Sequence, residues 1–501
     1  MKLELPNSAK NWFSIAGFMI AVVSFSMIVF LFVISTFFSG THIYLGLIIY
    51  IILPMVMIAG LIMVPIGMFW ARKHRQASGS ELPVLDLNLR QHRNALFIFL
   101  VGTTILVFSS AVGSYEAYHY TESVSFCGQV CHQVMQPEFE SYQHSSHARV
   151  ACAECHIGSG ADWYVKAKIS GLHQVYAVLL DTFPRPIPTP ITNLRPARET
   201  CEQCHWPKKF YPREERLEQY FLGDEENSQW DVMLSMKVGP VHKSSGFSEG
   251  IHWHVDPNNK VEYIYTDERR QEIPWVRYTN LKTGEVTVYS ASDSLREIEP
   301  AADAANLRTM DCLDCHNRPA HDYKSPRYFI NHAISEGSIP KELPGIKALA
   351  REICEEEISS SDSIYSFIKS RIDSFYNEEY PEIAEENPGL IRKATEGLYE
   401  AYRVNIFPDM KARWDAYPNN IGHLEFNGCF RCHDDGHTDS AGETISRDCN
   451  ACHLIKVQGN ENAYQTASAF EGLKFVHPGD EVDEEDWQEG LCTDCHTGTD
   501  P

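Results

Sequence analysis

Seven short motifs that join two cysteines to a histidine follow one another along the chain after residue 125. Six read Cys-x-x-Cys-His, and the first, Cys127-Gly-Gln-Val-Cys131-His132, has three residues between its cysteines. Two such thiols can attach a porphyrin covalently, and the adjacent His can bind its iron as the proximal ligand. The motifs therefore predict seven c-type haems. The predicted attachment residues are Cys127, Cys131, Cys152, Cys155, Cys201, Cys204, Cys312, Cys315, Cys429, Cys432, Cys449, Cys452, Cys492 and Cys495, and the proximal ligands are His132, His156, His205, His316, His433, His453 and His496.

Zinc is the alternative occupant, because paired cysteines at this spacing also occur in zinc ribbons and fingers. The residue after the second cysteine separates the two interpretations. Only 22 of the 501 residues are His, yet a His occupies this position in all seven motifs. Haem attachment would use every cysteine except Cys354, so the cysteine count requires no disulfide framework.

A second axial ligand for each iron is available from histidines outside the motifs. Twelve of these lie beyond residue 114, which is more than seven haems can use. The surplus favours six-coordinate electron carriers over an open catalytic iron. In the segment Gly250-Ile-His-Trp-His-Val255, a strand would present both histidines to one side. The predicted distal ligands are His147, His321, His423, His437, His477 and one or both of His252 and His254.

Three uncharged hydrophobic runs open the chain, at residues 13–38, 43–70 and 95–113. Each is long enough to cross a bilayer as a helix, and the first is too long for a cleaved signal peptide. Lys and Arg occur before the first run and in the 71–94 loop, but not between the first two runs. The positive-inside rule then predicts a cytoplasmic N-terminus and a haem domain in the bacterial periplasm. Because the runs contain no His, we expect no haem within the membrane.

The charge of the chain is divided between its two ends. Residues 1–114 carry seven Lys and Arg against three Asp and Glu, a net charge of +4, and the remainder carries 36 against 64, a net charge of −28. An acidic domain of this kind is a poor partner for nucleic acid. It suits a basic redox protein, which complementary charge would attract.

The predicted fold is mainly α, with little regular structure around the haems and a small β insert. Alternation of Val261, Tyr263 and Tyr265 predicts an antiparallel sheet, and Ile364, Phe367, Ile368, Ile372 and Phe375 have the spacing of a helix whose apolar face is core. The predicted divisions are a three-helix membrane anchor at 1–114, a core with the first three haems at 115–205, the β insert and fourth haem at 206–324, an acidic helical insert at 325–420 and a three-haem module at 421–501.

Several of these segments resemble the NapC/NirT family of membrane-anchored multihaem quinol dehydrogenases. The resemblance rests on the first motif with Met135 behind it, on CAECHIGSGADWYVKAKISG at 152–171 and on LRPARETCEQCHWP at 194–207. Seven motifs behind three spans are similar to seven-haem inner-membrane members in metal-reducing bacteria. The resemblance implies that the protein oxidises menaquinol and passes electrons along its haems to periplasmic c-type cytochromes, in anaerobic or extracellular metal respiration.

The same resemblance implies roles for three residues near the first two motifs. Met135 would be an iron ligand at the first haem, although the family usually has Cys-x-x-Cys-His-x-Met and this chain has one more residue at both spacings. Lys168, with Lys166 as its neighbour, matches a family lysine that lines the quinol site. The position of a family aspartate further along has no counterpart here, and His173 occupies that region.

Two other functions remain open from the sequence. A terminal multihaem reductase, for example of nitrite, would need a five-coordinate haem. An electron-relay subunit of a larger respiratory complex would carry the same motifs but lack its own quinol site. The supply of histidines favours the quinol dehydrogenase over the first of these.

Overall fold

The structure is a computed structural model that describes residues 11–37, 52–75, 86–130, 132–158, 161–191, 195–206, 210–239, 250–292, 304–468, 471–479, 488 and 490–496. The chain forms two compact units. The first comprises residues 1–135 with 151–153, and the second comprises residues 136–150 with 154–501. Each is taken separately below.

The first unit begins with three long helices, α1 (Trp12–Phe37), α2 (Leu53–Arg75) and α3 (Arg90–Glu122). Among the described residues, two helices are long and apolar enough to cross a membrane, over Trp12–Leu31 and Leu53–Lys73. This is one fewer than the three spans predicted. The third predicted run lies inside α3, where several side chains fall outside the described residues.

Helices α1 and α2 pack closely because small residues face each other. A Cβ atom on Gly17 would lie 2.6 Å from the carbonyl oxygen of Gly60, and one on Gly60 would lie 2.7 Å from the carbonyl oxygen of Gly17. Nearby, the Ser14 hydroxyl donates to the Val64 carbonyl at 2.9 Å. Close backbone approach at small residues, with a hydroxyl bonded across, is typical of packed membrane helices.

The haem-motif region begins with a π-helical turn at Phe126–Val130 and four helices. These helices are α4 (His132–Gln143), α5 (Cys152–His156), α6 (Ala161–Leu179) and α7 (Ala197–Cys201). In the second unit they are followed by a segment of strands, then by a helical insert, and finally by a segment that contains the last three motifs.

Two antiparallel sheets occupy the middle of the second unit. Their strands are β1 (Arg213–Phe221), β2 (Gln229–Lys237), β3 (Asn259–Ile264), β4 (Trp275–Asn280), β5 (Val286–Ala291), β6 (Leu307–Thr309), β7 (His437–Thr438), β8 (His453–Asn460) and β9 (Ala463–Thr466). The strand orders are β1-β2-β8-β9 and β6-β3-β4-β5-β7. The predicted antiparallel pairing around Val261 and Tyr263 is confirmed, because β3 pairs with β4.

Strands from the C-terminal module complete both sheets. Met236 of β2 pairs with His453 of β8, and Ala291 of β5 pairs with His437 of β7. The β insert and the C-terminal module therefore fold together, although the sequence suggested separate segments.

The helical insert forms the largest apolar core of the described residues. Its helices are α8 (Cys312–Cys315), which carries the fourth motif just before the insert, then α9 (Pro326–Ser335), α10 (Ile346–Glu355), α11 (Ile364–Glu379), α12 (Pro381–Glu386) and α13 (Pro388–Arg403). Ile364, Ile368 and Ile372 of α11 are all at most 3% exposed. The predicted core role of this face is confirmed, with Phe367 and Phe375 packed against it.

Candidate functional site

A single turn of helix holds the two cysteines of most motifs. Helix α5 carries the second motif, α8 the fourth, α14 (Cys449–Cys452) the sixth and α15 (Cys492–Cys495) the seventh, while the fifth begins in the 3₁₀ turn Gly428–Arg431. Residues three apart lie on one face of such a turn, so both thiols can reach one porphyrin edge. The third motif begins at the C-terminal residue of α7.

The first motif has its own geometry, which fits its extra residue. Cys127 lies in the π-helical turn Phe126–Val130. A π turn is wider than an α turn because its hydrogen bonds join residues five apart, so it accommodates one more residue between the cysteines. Cys131 and the side chain of His132 lie outside the described residues.

Carboxylates cap the short helices of the later motifs. Asp311 accepts a hydrogen bond from the backbone N–H of Leu313 at 2.9 Å, and Asp448 accepts one from Asn450 at 2.8 Å. In the seventh motif the backbone N–H of Leu491 donates to Asp494 at 2.7 Å. Such caps satisfy amide groups that a one-turn helix leaves open, so they hold the motif turns in place.

Six of the seven motif histidines face a second histidine from elsewhere in the chain. A metal ion bound at about 2.0–2.1 Å from one nitrogen of each of two imidazoles separates the ring centroids by about 6 Å. All six observed distances lie close to this value. The pairs are His156 with His321 at 6.1 Å, His205 with His147 at 6.0 Å, His316 with His252 at 6.1 Å, His433 with His254 at 5.9 Å, His453 with His423 at 6.4 Å and His496 with His477 at 6.0 Å.

The predicted strand at His252 and His254 is wrong. The two residues lie in a 3₁₀ helix at Ile251–Val255, and their rings face different motifs, the fourth and the fifth. One helical turn thus supplies a histidine to two neighbouring sites.

Backbone carbonyls orient many of these rings through Nδ1, which leaves Nε2 for a metal. A hydrogen bond at one ring nitrogen fixes which nitrogen is available at the other. The bonds join Nδ1 of His147 to the carbonyl of Pro319 at 3.1 Å, His252 to Val238 at 2.7 Å, His254 to Ile251 at 2.9 Å, His321 to Glu138 at 3.0 Å, His433 to Ser446 at 2.9 Å and His477 to Pro478 at 2.9 Å.

Burial favours the neutral imidazole, which is the form that binds metal. Desolvation lowers the pKa of His423 to about 4, with a further contribution from His453. Desolvation also lowers the pKa values of both members of the His156–His321 pair. These sites are therefore electrostatically suited to iron rather than to protons.

The sequence predicted His437 as a ligand, but it faces none of the motif histidines whose side chains the structure describes. Its side chain is 2% exposed, Nδ1 lies 2.9 Å from a carboxylate oxygen of Asp434, and Nε2 lies 2.6 Å from the carbonyl oxygen of Ile273. Burial acts to lower the pKa of His437, but these two hydrogen bonds outweigh it and the pKa is raised. With both ring nitrogens engaged, the side chain ties β7 to the β insert.

Consecutive motifs lie beside one another, beginning with the first and the second. The Cys127 and Cys152 side chains are hydrogen-bonded, which lowers the pKa of Cys152 to about 7. The thiols of Cys201 and Cys312, in the third and fourth motifs, are bonded in the same way, which lowers the pKa of Cys312 to about 7. Cys155 of the second motif is close enough to contribute electrostatically to the raised pKa of Cys201.

The fourth to seventh motifs also lie beside one another. Electrostatic contributions to thiol pKa values join Cys315 to Cys429, Cys452 to Cys429, and Cys492 to Cys449. In addition, Nδ1 of His423, which faces His453 of the sixth motif, lies 3.7 Å from Sγ of Cys492 in the seventh motif. The motifs therefore follow one another in space in the order of the sequence.

A cavity of about 3730 Å³ passes through the second unit and is lined by five of the six histidine pairs. Its walls contain buried polar atoms that find no hydrogen-bond partner among the described residues, including Nε of Arg327 and Nδ1 of His453. Paired histidines, adjacent thiols and space with unsatisfied donors together fit covalently bound haem.

Comparison with known proteins decides the family. The model of the NapC/NirT cytochrome c family, N-terminal region, matches residues 89–186. The chain is 41% identical over 491 residues, 97% of its length, to the cytochrome c-type protein ImcH of Geobacter sulfurreducens, of which it covers 95%. The chain belongs to the NapC/NirT cytochrome c family.

A second relative matches a shorter part of the chain. The cytochrome c-type protein NrfH of Wolinella succinogenes is 32% identical over 117 residues, which are 21% of this chain and 66% of that protein. No solved structure matches the chain significantly. As a NapC/NirT protein this chain is a multihaem cytochrome c with a role in electron transfer, and its β and helical inserts lie outside the matched family region.

The lysines predicted from the NapC/NirT resemblance lie on α6. Nζ of Lys168 lies 5.0 Å from the ring centroid of Tyr164, and Nζ of Lys166 lies 4.7 Å from that of Trp163. The same helix exposes Leu172 at 71% and Leu179 at 78%. Met135, the predicted ligand of the first haem, is partly buried in α4.

Proposed function

We propose that this protein is an inner-membrane cytochrome that oxidises menaquinol and passes the electrons through seven covalently bound haems to periplasmic c-type cytochromes. This would serve anaerobic or extracellular metal respiration. When bound, the haems supply a series of one-electron carriers. The supporting observation is the combination of six histidine pairs with motifs that adjoin one another in chain order.

The proposed ligand set follows the pairs. From the second haem to the seventh, the distal ligands are His321, His147, His252, His254, His423 and His477, and Met135 serves the first haem. Six irons with two histidines each would be six-coordinate, which favours electron carriers over a nitrite-type terminal reductase. His437 is not part of this set, because both its ring nitrogens are hydrogen-bonded within the protein.

The proposed entry point for electrons is the first motif. It directly follows α3, whose exposed side chains include Phe97, Leu100 and Phe108, so it is the motif nearest along the chain to the hydrophobic segments. Oxidation of a quinol releases two protons as well as two electrons, so the site needs a proton acceptor. We assign that role to Lys168, with Lys166 beside it on a helix whose exposed apolar side chains suit a lipid-soluble substrate.

The proposed exit partner is a basic periplasmic cytochrome. The net charge of −28 beyond residue 114 would attract it and raise the rate of encounter. This requires the haem domain to be periplasmic, and the chain to pass the bilayer a third time at α3. Reporter fusions after Ala77 and after Pro501 would then report opposite sides of the membrane, and two reporters on one side would exclude this topology.

The test is anaerobic mixing of the purified, detergent-solubilised protein with a reduced menaquinol analogue, observed through the haem absorbance. We expect quinol to reduce the haems, and a pyridine haemochrome assay to give seven haems per chain with none extracted by acid acetone. Lys168→Ala should slow reduction by quinol about 100-fold, the lower range for loss of a general base.

Dithionite provides the internal control, because it donates electrons without a quinol site. Lys168→Ala should leave dithionite reduction and the haem spectrum intact. Lys369→Ala, which removes an exposed lysine from α11, should leave the quinol rate unchanged. A wild-type protein that dithionite reduces and quinol does not would indicate the relay-subunit alternative instead.

A further inference from the structure

Three basic side chains of the helical insert line the same cavity as the histidine pairs. Arg327 lies on α9, and Lys347 and Arg351 lie one turn apart on α10. We refer to Arg327, Lys347 and Arg351 as the basic cluster. They come from a part of the chain that the matched family region does not include.

Lys347 is buried with uncharged acceptors. Its residue is 6% exposed, and its Nζ donates to Oδ1 of Asn331 at 2.7 Å and to the carbonyl of Arg327 at 3.4 Å. Burial lowers its pKa to about 7, and repulsion from Arg327 and Arg351 adds to the effect. A buried ammonium group held only by neutral acceptors favours an anion nearby.

Arg327 has one donor without an acceptor. Its Nη2 pairs with Oε1 of Glu425 at 2.9 Å, but its Nε is buried and has no hydrogen-bond partner among the described residues. Leaving a buried donor without an acceptor destabilises the protein, and the cost is greater for a charged group. An acceptor from a bound group would remove this cost.

The basic cluster lies beside the last motif. Arg327 pairs with Glu425, which follows His423 by two residues, and Nδ1 of His423 lies 3.7 Å from Sγ of Cys492 in the last motif. The cavity that the basic cluster lines is also lined by His477 and His496. Every haem carries two propionates, so a haem held by the last motif would bring carboxylates to this part of the cavity.

We propose that the basic cluster binds a propionate of the seventh haem and thereby raises the reduction potential of that haem. This rests on the proposed pairing of His477 with His496. Glu425 pairs with Arg327 and Glu355 pairs with Arg351, whereas Lys347 has no carboxylate partner among the described residues. A propionate beside Lys347 would therefore hold its side chain in the charged form. A positive charge near the porphyrin favours the reduced form, which suits the terminal carrier of a chain.

The experiment first identifies the component of the seventh haem in a potentiometric titration of the holoprotein. His477→Met should move one component of a potentiometric titration to higher potential, because methionine ligation raises the potential relative to two histidines. In that background, Lys347→Met should make reduction of the displaced component about tenfold less favourable, which is about 59 mV for one electron. Arg351→Gln should shift the same component in the same direction. Lys369→Met removes an equal charge from the exposed face of α11 and should shift nothing.

The outcomes distinguish a failure of the proposed ligand His477 from a failure of the propionate site. If His477→Met displaces no component, the ligand assignment fails and this inference fails with it. If a component is displaced but neither Lys347→Met nor Arg351→Gln lowers its potential, the propionate site is excluded while the proposed function stands. Because Arg351 is partly exposed, its variant keeps the test valid even if replacement of the buried lysine reduces haem incorporation.

Discussion

His252 and His254 are separated by one residue, and their rings nevertheless face different motifs. In a 3₁₀ helix three residues complete one turn, so residues two apart point in different directions. His252 faces His316 of the fourth motif, and His254 faces His433 of the fifth. Hydrogen bonds from both Nδ1 atoms hold this turn, so it fixes the positions of two of the proposed distal ligands relative to each other.

Replacing His254 by Met tests this assignment. We expect one component of the potentiometric titration to move to higher potential, because a thioether replaces an imidazole opposite His433. The other components should stay in place. His332→Met is the matched control, since the His332 side chain is 56% exposed on α9 and pairs with Glu336. A titration identical to that of the wild type would exclude His254 as a ligand.

His437 illustrates the opposite case, a buried histidine that stabilises the fold. His437→Leu removes hydrogen bonds to Asp434 and to the Ile273 carbonyl, so the free energy of unfolding should fall by about 1–3 kcal/mol. The raised pKa of His437 determines how this stabilisation depends on pH. The protonated form contributes its stability in full below the unfolded pKa, and this contribution is lost as the pH rises through the folded pKa.

The difference in unfolding free energy between wild type and His437→Leu should therefore be largest near pH 6 and smaller at pH 9, as measured by denaturant titration. Seven haems and an unchanged absorbance spectrum should remain. Loss of one low-spin haem in the variant would restore His437 to the ligand set.

Residue type and short spacing were enough to predict the seven motifs. All six histidines that face a motif histidine were also among the predicted distal ligands. Pairing was not predictable, since His147 lies opposite His205 and His321 lies opposite His156, across intervening segments. His437 follows the fifth motif by only four residues, which makes it a candidate ligand from the sequence. Proximity in sequence does not determine where a ring points. Hydrogen bonds to Asp434 and to the Ile273 carbonyl direct the His437 ring away from the motif.

At the scale of elements, the sheets show what local patterns leave out. Strands β8 and β9 were not predicted, and β8 pairs with β2, more than 200 residues earlier in the chain. Such pairing depends on tertiary packing rather than on alternation within one segment. Helix α11 was predictable because its apolar residues repeat with the period of a helix and face one core. The basic cluster could not be predicted from the sequence, because only the folded chain brings its three side chains together beside the cavity.

A cavity made in the core of the helical insert should lower the free energy of unfolding. Ile368→Ala removes a side chain with no exposed surface from α11, and we expect a loss of about 2–5 kcal/mol in the free energy of unfolding. Ser370→Ala, at an exposed position of the same helix, should change stability by less than about 0.5 kcal/mol. A loss below 1 kcal/mol for Ile368→Ala, measured by denaturant titration of the holoprotein, would contradict this packing.

At the scale of the whole molecule, the linear order of the motifs makes a prediction about connectivity. Each motif adjoins the next, from the hydrogen bond between Cys127 and Cys152 to the contact between His423 and Cys492. If electrons enter at the first haem, every later haem depends on the one before it. Removing a middle haem should therefore disconnect all that follow, whereas removing the last should disconnect none.

Two double variants test this dependence. Cys312→Ala with Cys315→Ala removes the fourth haem, and Cys492→Ala with Cys495→Ala removes the seventh. After rapid mixing with a menaquinol analogue, the first variant should reduce only the three haems before the gap within the time that the wild type needs for all of its haems. The second variant should reduce all of its remaining haems at the normal rate but pass electrons slowly to an acceptor. Dithionite should reduce every remaining haem in both variants, which shows that the haems are intact. Rapid quinol reduction of all remaining haems in the first variant would mean that electrons bypass the fourth motif, and the route would then be branched rather than linear.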